Sequence, residues 1–443
     1  MSDVYELTLW ITGFVCLGFA LAAYRLYGDL LHPAIYLGGL LLYPYFISPM
    51  ILLSEGVVER YLPIQALPEV QILYLVGIVC FLTGAILRPM RYRWGSTASQ
   101  LSPNSIPVDP AQLKRCGLIC GAIGLASWTY SLTLGGGFGE VYGVSHARLN
   151  QGSGYIRDLK DLLIVGLLLT FASGLKSKFT GSIVAAVVIF SLPILSHAVL
   201  GSSRGSTYLL LVSIFFVFYL VGNKRPNFLL TLLGGWTLVA VIFFLVSNRE
   251  VLYFGSDLVF KQDAIYSFIA KDTGGHEYIY GSAGVMTVTT EASYQWGALY
   301  VIRYFIKPIP SQIWPSKYED ATDFFGVPSV REAMTYFPSM FSWAAPDGAA
   351  MGLIPDLWIQ FWVLTFLILY LLGRAFSWLW GRSVSNPSSI FPIYYALVSG
   401  NAIFLCLQDF DAFLNKLLYA GLVGFLVWMT LAKVRLRSST RGF

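Results

Sequence analysis

The stretch GSIVAAVVIFSLPILSHAVL (residues 181–200) contains no acidic, lysine or arginine side chain and only one histidine, His197. A helix needs about 20 predominantly apolar residues to cross the hydrocarbon core of a bilayer, so this stretch predicts a membrane span. Arg204 follows in SSRGS (202–206), before another apolar run. Because a charge at the bilayer centre costs roughly 2.5 kcal/mol or more, we expect Arg204 at a span end, as a candidate functional residue.

Apolar runs of similar length recur along most of the 443 residues. The chain is 56% hydrophobic and 12% charged, with a mean hydropathy of +0.65, whereas soluble domains carry about 25% charged residues. The sequence therefore predicts an all-α polytopic membrane protein. We expect eleven spans, at residues 7–24, 34–54, 69–87, 115–134, 161–174, 181–200, 206–222, 227–247, 354–373, 390–408 and 416–432.

The lysines and arginines of the short loops fall unevenly on the two sides of these spans. One side carries sixteen: Arg25, Arg88, Arg91, Arg93, Lys114, Arg115, Lys176, Lys178, Lys224, Arg225, Arg374, Arg382, Lys433, Arg435, Arg437 and Arg441. The other side carries six: Arg60, Arg148, Arg157, Lys160, Arg204 and Lys416. The cation-rich side is expected to be cytoplasmic, which places the N-terminus outside and the C-terminus inside.

Three regions follow from this topology. Residues 1–247 hold eight spans, residues 248–353 form one long external loop, and residues 354–443 hold three spans and a basic cytoplasmic tail. Long loops are commonly functional, and this one is rich in aromatic residues. Its middle, EASYQWGALYVIRYF (291–305), predicts an amphipathic helix on which Arg303 and Lys307 share a face. A plain interfacial helix with snorkelling cations is the alternative.

Several motifs are absent. The sequence contains no P-loop, no H-E-x-x-H and no G-x-S-x-G, and its five cysteines lie in or beside apolar segments. We therefore expect no metal and no cofactor. Nothing supports nucleic-acid binding. Paired broken helices are not evident, and Asp356, Asp409 and Asp411 are expected at external span ends, which argues against a proton-coupled carrier.

Arginines on the external side are the remaining candidates for chemistry. Arginine binds pyrophosphate through a planar, permanently charged fork. The candidate binding residues are five arginines near external span ends or in the loop: Arg148, Arg204, Arg249, Arg303 and Arg331. Glu291 and His276 are candidates for a general base, although a solvated surface is the alternative interpretation for each acidic or basic residue of the loop.

Four stretches resemble the oligosaccharide repeat unit polymerases, the Wzy-type O-antigen and exopolysaccharide polymerases. GSSRGS (201–206) is similar to a G-S-R-G stretch that opens a span in that family. PIPSQIWPSK (308–317) resembles its proline–tryptophan stretch, with Tyr318 in place of a second proline. GAAMGLIPDLWIQFWVL (348–364) resembles the return into the membrane, and SHARLNQGSGY (145–155) is a looser match. The resemblance covers roughly residues 145–373.

This resemblance implies a metal-independent glycosyltransferase with a GT-C-like fold in the bacterial inner membrane. A glycan on undecaprenyl pyrophosphate would be the donor, and a lipid-linked repeat unit would be the acceptor, at the periplasmic face. A flippase and a chain-length regulator of the same pathway would be partners. Two other functions stay open, namely an O-antigen-ligase-like transferase and a transporter or flippase of lipid-linked sugars.

Overall fold

The computed structural model describes residues 2–87, 108–143, 154–201, 204–248, 252–255, 277–306, 309–327, 341, 343 and 350–429. Every regular element within these residues is helical. In chain order the α-helices are α1 Ser2–Tyr27, α2 Pro33–Ser54, α3 Val57–Tyr61, α4 Leu67–Ile86, α5 Pro110–Leu134, α6 Phe138–Tyr142, α7 Gly154–Asp158, α8 Leu162–Lys176, α9 Gly181–Val199, α10 Arg204–Val221, α11 Phe228–Ser247, α12 Glu277–Glu291, α13 Ala298–Val301, α14 Lys317–Phe325, α15 Leu353–Phe361, α16 Leu364–Ser385, α17 Phe391–Leu407 and α18 Phe410–Met429.

Seven of the helices are long and apolar enough to cross a membrane by length and composition. Within the described residues these are α1, α2, α4 with the turn before it, α5, α9, α16 and α18, and three shorter apolar helices fall within α10, α11 and α17. The chain is therefore an all-helical multi-pass membrane protein. Each of the eleven predicted spans overlaps a helix, but α8 has only 15 residues. The number of crossings and the orientation stay predictions.

Close helix packing at small residues holds the bundle together. Gly84 of α4 meets the backbone of Tyr370, and Gly373 of α16 meets the backbone of Phe81. A Cβ at either glycine would collide with main-chain atoms, which cannot move aside as a flexible side chain can. Small residues permit such close approach between membrane helices, where packing rather than a hydrophobic driving force holds helices together.

Side-chain and backbone contacts connect the loops with one another at each of the two ends of the bundle. At one end, Tyr27 donates a hydrogen bond to the carbonyl of Ile86 at 2.7 Å, and Lys176 Nζ donates to the carbonyl of Ser388 at 2.7 Å. At the other end, Lys416 contacts Asp161 and the carbonyl of Gln408 accepts from Gly352. The first end carries loops of the cation-rich set. Which end faces the cytoplasm stays a prediction.

Helix α12 lies inside the segment that the sequence assigned to an external loop. Its residues 278–288 are buried, and it runs alongside α4. Tyr278 donates to Gln71 Oε1 at 3.1 Å, and Ser282 Oγ lies 3.1 Å from the Tyr74 hydroxyl. The helix predicted over 291–305 is present only in its second half, because the preceding helix ends at Glu291 and Ala292 adopts a φ of +52°. Helical structure resumes only in α13 and in a π-helical turn, Ile302–Ile306.

The predicted span 354–373 is interrupted in the structure. Helix α15 ends at Phe361, Trp362 has φ +48° and ψ −132°, and α16 begins two residues later. In α15, Ile354 packs on Gly77, which lies ten residues into α4. Ten helical residues correspond to about 15 Å, half of a bilayer core of roughly 30 Å. Helix α15 is therefore packed at about mid-depth along α4 rather than at its end.

Candidate functional site

The structure describes only some of the candidate site residues that the sequence predicts. Arg148, Arg249, Arg331 and His276 lie outside the described residues, as does Lys307. Arg204 is the first residue of α10, and its side chain is not among those described. Glu291 is the exposed last residue of α12. Only Arg303 has a described ion pair.

Arg303 pairs with Asp411 at the beginning of α18. The two side chains are 28% and 14% exposed, and their charges compensate each other. The neighbouring Tyr304 donates to Asp411 Oδ1 at 3.0 Å and to its backbone carbonyl at 2.7 Å. These bonds fasten the π-helical turn after α13 onto α18. The guanidinium of Arg303 is therefore already engaged by a protein carboxylate and serves here as a clamp.

Two partly buried carboxyl groups lie next to this clamp. Asp356 of α15 accepts hydrogen bonds from the Tyr300 hydroxyl at 2.7 Å and from the backbone N–H of Phe410 at 2.9 Å. Asp409 caps α18 by accepting from the N–H of Ala412 at 2.5 Å. Burial raises the pKa of the Asp409 carboxyl group, and the N–H of Ala412 and the charge of Arg303 oppose that shift. Both acids lie beside the beginning of α18, at its junction with α17; that this junction is external stays a prediction.

A second group of charged side chains surrounds Lys416, which lies five residues after Asp411 in α18. Lys416 Nζ is 2.9 Å from both carboxylate oxygens of Asp161, which directly precedes α8. The Lys160 side chain makes no hydrogen bond or ion pair with any residue that the structure describes. Burial lowers the pKa of Lys160, Asp161 opposes that shift, and Lys416 adds to it. The ammonium of Lys160 is thus partly shielded from water, and a bound anion would stabilise it.

Further basic groups surround Lys160. His197, near the end of α9, lies within electrostatic range of Lys160, Lys416 and Asp161. Its Nδ1 is buried without a hydrogen-bond partner in the structure. Arg157 Nε lies 3.2 Å from Asp158 and also acts electrostatically on Lys160. We refer to Arg157, Lys160, His197 and Lys416, with the acids Asp158 and Asp161, as the cationic cluster.

The beginning of α10 adjoins this cluster. Lys416 Nζ lies 5.5 Å from the centre of the Phe404 ring. Gly205 packs against the same ring, because a Cβ there would lie within 2.5 Å of Phe404 Cε1. Only a residue without a side chain fits this approach. The glycine of SSRGS thus brings the first turn of α10, which begins at Arg204, close to the Phe404 ring that lies beside Lys416.

Metal ligation has no evident site in the described part of the chain. No group of three or more histidine, cysteine, aspartate or glutamate side chains is placed to hold a metal ion there. Glu319, Asp320 and Asp323 are exposed on α14. Asp320 accepts from Ser316 Oγ at 2.7 Å and Trp314 Nε1 at 2.5 Å, and these hydrogen bonds lower its pKa. Asp320 therefore stabilises the conformation of the proline–tryptophan stretch (308–317) through these two hydrogen bonds.

Comparison with known proteins adds no assignment. No family model, no curated protein and no solved structure matches the chain. The site therefore rests on the geometry and the sequence of this protein.

Sequence reasoning missed most of the cationic cluster. Arg157, Lys160, Arg204 and Lys416 are four of the six cations on the cation-poor side, and of these four only Arg204 was a candidate binding residue. Arg157 and Lys416 both lie within electrostatic range of Lys160, and the first turn of α10 adjoins Lys416. The signal in the sequence was the presence of these cations on the side of the membrane where the positive-inside rule predicts few of them. Their convergence from α7, α8, α10 and α18 was not visible in the sequence.

Proposed function

We propose that this protein polymerises lipid-linked oligosaccharide repeat units into O-antigen or exopolysaccharide, on the outer face of the bacterial inner membrane. The proposal includes eleven crossings, an external N-terminus and a GT-C-like arrangement. The donor glycan is carried on undecaprenyl pyrophosphate. Its anomeric carbon is attacked by a sugar hydroxyl of the acceptor, and the bond to the pyrophosphate breaks.

In this proposal the cationic cluster binds the pyrophosphate. Lys160 supplies a cation that no acid in the described part of the chain pairs with directly, and Arg204 supplies the bidentate fork. The pyrophosphate gains negative charge as it leaves, so fixed cations in a site sheltered from water lower the barrier. The acceptor proton passes to a base, for which Glu291 and His276 are the proposed candidates. Arg148, Arg249 and Arg331 are proposed to contact the glycan or its phosphates.

One observation carries the proposal. GSSRGS (201–206), one of the stretches that resemble the polymerase family, opens α10 beside the cationic cluster. Sequence resemblance and charge geometry are independent of each other, because Lys160 and Lys416 lie in none of the resembling stretches. Both nevertheless point to the same end of the bundle. That end has the fewer lysines and arginines in its short loops and is proposed to be periplasmic.

The test uses cells in which the gene is deleted and then restored. Deletion should abolish long polymer and leave single repeat units on undecaprenyl pyrophosphate at the periplasmic face. Their location is measured with a glycosidase added to spheroplasts, which digests only the units that have been translocated. Loss of polymer with all units digestible supports a polymerase. Unchanged polymer after deletion would refute the proposal.

A carrier of lipid-linked sugars is the second candidate, and a specific observation favours it. The helix break at Trp362 and the partly buried carboxyl groups of Asp356 and Asp409 are features that membrane carriers use. A carrier predicts the opposite result in spheroplasts, because deletion would leave the repeat units on the cytoplasmic face and protected from the glycosidase.

A further inference from the structure

The three most exposed large apolar side chains of the described residues lie close together in the sequence. Phe305, Ile313 and Phe324 are 73%, 76% and 82% exposed, whereas the most exposed ones on the apolar helices, Phe14 and Trp236, are each 68% exposed. All three belong to residues 302–325, which the structure describes except for 307 and 308. We refer to these residues as the surface segment. Apolar side chains that project so far from a protein indicate a contact surface.

The surface segment is fastened to the beginning of a membrane-spanning helix. Arg303 and Tyr304, in its π-helical turn, both contact Asp411 in the first turn of α18. Helix α18, Phe410–Met429, has 20 residues and is therefore about 30 Å long, which matches the thickness of a bilayer core. With α18 across the bilayer, Asp411 lies at the level of the lipid headgroups, and so does Phe305, which directly follows Tyr304.

Helix α14, at the other end of the surface segment, has an apolar face and an acidic face. Lys317, Ala321 and Phe324 follow one another at intervals of four and three residues, so they share one face. Lys317 and Ala321 are buried, and α14 packs near the π-helical turn, so Phe324 projects beyond this contact from the same face. Glu319 and Asp323 are exposed on the other side of the helix. An apolar face toward the bundle and an acidic face toward water are typical of a helix that lies on a membrane surface.

The described cations of the surface segment are already engaged by the protein. Arg303 pairs with Asp411. Lys317 Nζ donates to the carbonyl of Ile309 and lies 4.9 Å from the centre of the Tyr318 ring. Neither cation is therefore free to bind an anionic headgroup, and insertion of apolar side chains is the main attraction of this segment to a lipid surface.

We propose that the surface segment lies on the lipid bilayer at the end of the bundle where α18 begins, with Phe305, Ile313 and Phe324 inserted among the headgroups and the adjoining acyl chains. Lipid is the occupant because the segment is fastened at headgroup level, where the lipid-facing surface of a span ends. This contact holds the proline–tryptophan stretch at the membrane surface. It is independent of the proposed function, since a polymerase and a carrier would both present the segment to the same bilayer.

Collisions of a nitroxide spin label with two reagents test the contact. Oxygen is concentrated in lipid, whereas nickel ethylenediaminediacetate is concentrated in water. The native cysteines are replaced by alanine, a single cysteine is introduced and labelled, and the full-length protein is reconstituted into phosphatidylcholine vesicles. Phe324→Cys should give a ratio of oxygen to nickel collisions roughly fivefold or more above that of Asp323→Cys, its neighbour on the acidic face. Phe305→Cys and Ile313→Cys should resemble Phe324→Cys.

Two reference positions and a change of lipid complete the experiment. Leu422→Cys, at an exposed position about 18 Å along α18, gives the value for lipid, and Lys178→Cys, exposed at the opposite end of the bundle, gives the value for water. Adding phosphatidylglycerol to the vesicles should leave the ratio at Phe324→Cys unchanged, and a severalfold rise would contradict apolar insertion as the main attraction.

Two other results would overturn the proposal. Equal nickel collisions at Phe324→Cys and Asp323→Cys would show that both faces of α14 are in water. A label at Phe324→Cys that neither reagent reaches would show that protein, such as a second copy of the chain, covers this face instead of lipid. No activity enters the measurement, so a protein that makes no polymer but gives the expected ratios refutes the proposed function alone.

Discussion

Replacing either Arg303 or Asp411 should destabilise the protein, and the two replacements should lower the free energy of unfolding by about the same amount. Exposed ion pairs contribute about 0.2–1 kcal/mol, whereas leaving one partner of a buried pair unpaired costs about 3–5 kcal/mol. Side chains that are 28% and 14% exposed lie between these limits. We therefore expect Arg303→Gln and Asp411→Asn each to lower the free energy of unfolding by about 2 kcal/mol.

The double variant, Arg303→Gln with Asp411→Asn, measures how much of each loss of stability comes from the interaction between the two side chains. If the two residues act mainly on each other, the double variant should lose little more than either single variant, with a coupling energy of about 1–2 kcal/mol. Unfolding is followed by tryptophan fluorescence during titration with sodium dodecyl sulfate in mixed micelles. Lys178→Gln, an exposed position at the opposite end of the bundle, is the control and should leave stability unchanged.

The same experiment distinguishes a clamp from a substrate ligand at Arg303. A clamp predicts that Asp411→Asn reproduces the loss of stability seen with Arg303→Gln. Arg303→Gln with wild-type stability, no coupling to Asp411 and no polymer would refute the clamp. That result would return Arg303 to the pyrophosphate-binding role that the sequence predicts.

Three further predictions concern topology, metal and pH. With the native cysteines replaced by alanine, Gln312→Cys should react with an impermeant thiol reagent in spheroplasts and Lys178→Cys should not; reversed labelling would invert the proposed orientation. Polymerisation should continue in EDTA, and a strict requirement for added magnesium would contradict pyrophosphate binding by cations of the protein alone. Because burial raises the folded-state pKa of Asp409, the folded state binds more protons, and stability should fall as pH rises from about 4 through that pKa. Asp409→Asn should flatten this dependence of the unfolding free energy, and an unchanged slope would contradict it.

Hydrophobicity alone predicted the helices that face lipid. Runs such as 181–200 contain enough apolar residues to cross a bilayer wherever the rest of the chain lies, and α9 occupies residues 181–199 as expected. Helix α12 was missed because EYIYGSAGVMTVTTE contains glycine, threonine and serine and has no long apolar run. Its burial depends on hydroxyl partners, Tyr5 and Tyr74, that are supplied by other helices.

The charged groups were harder to assign, because their partners are distant in sequence. Arg303 and Asp411 are 108 positions apart, and Lys416 and Asp161 are 255 apart. Spacing could not show that one arginine is neutralised while the Lys160 side chain has no direct partner among the residues that the structure describes. The break at Trp362 was hidden in LWIQFWVL, a run of apolar residues and one glutamine, Gln360, without glycine or proline. Its conformation follows from packing, since Trp358 donates a hydrogen bond to Thr289 Oγ1 at 3.1 Å across the helix pair.

The most direct test of the central claim is the product made by the purified protein from lipid-linked repeat units in proteoliposomes, without nucleotide and with EDTA. The account predicts a ladder of longer glycans and release of undecaprenyl pyrophosphate. It also predicts that Lys160→Gln reduces the rate roughly a hundredfold to a thousandfold, as for loss of a charge-stabilising group, while Lys178→Gln has no effect. A wild-type protein that moves repeat units across the bilayer without joining them would contradict the account, and so would a ladder that Lys160→Gln leaves unchanged.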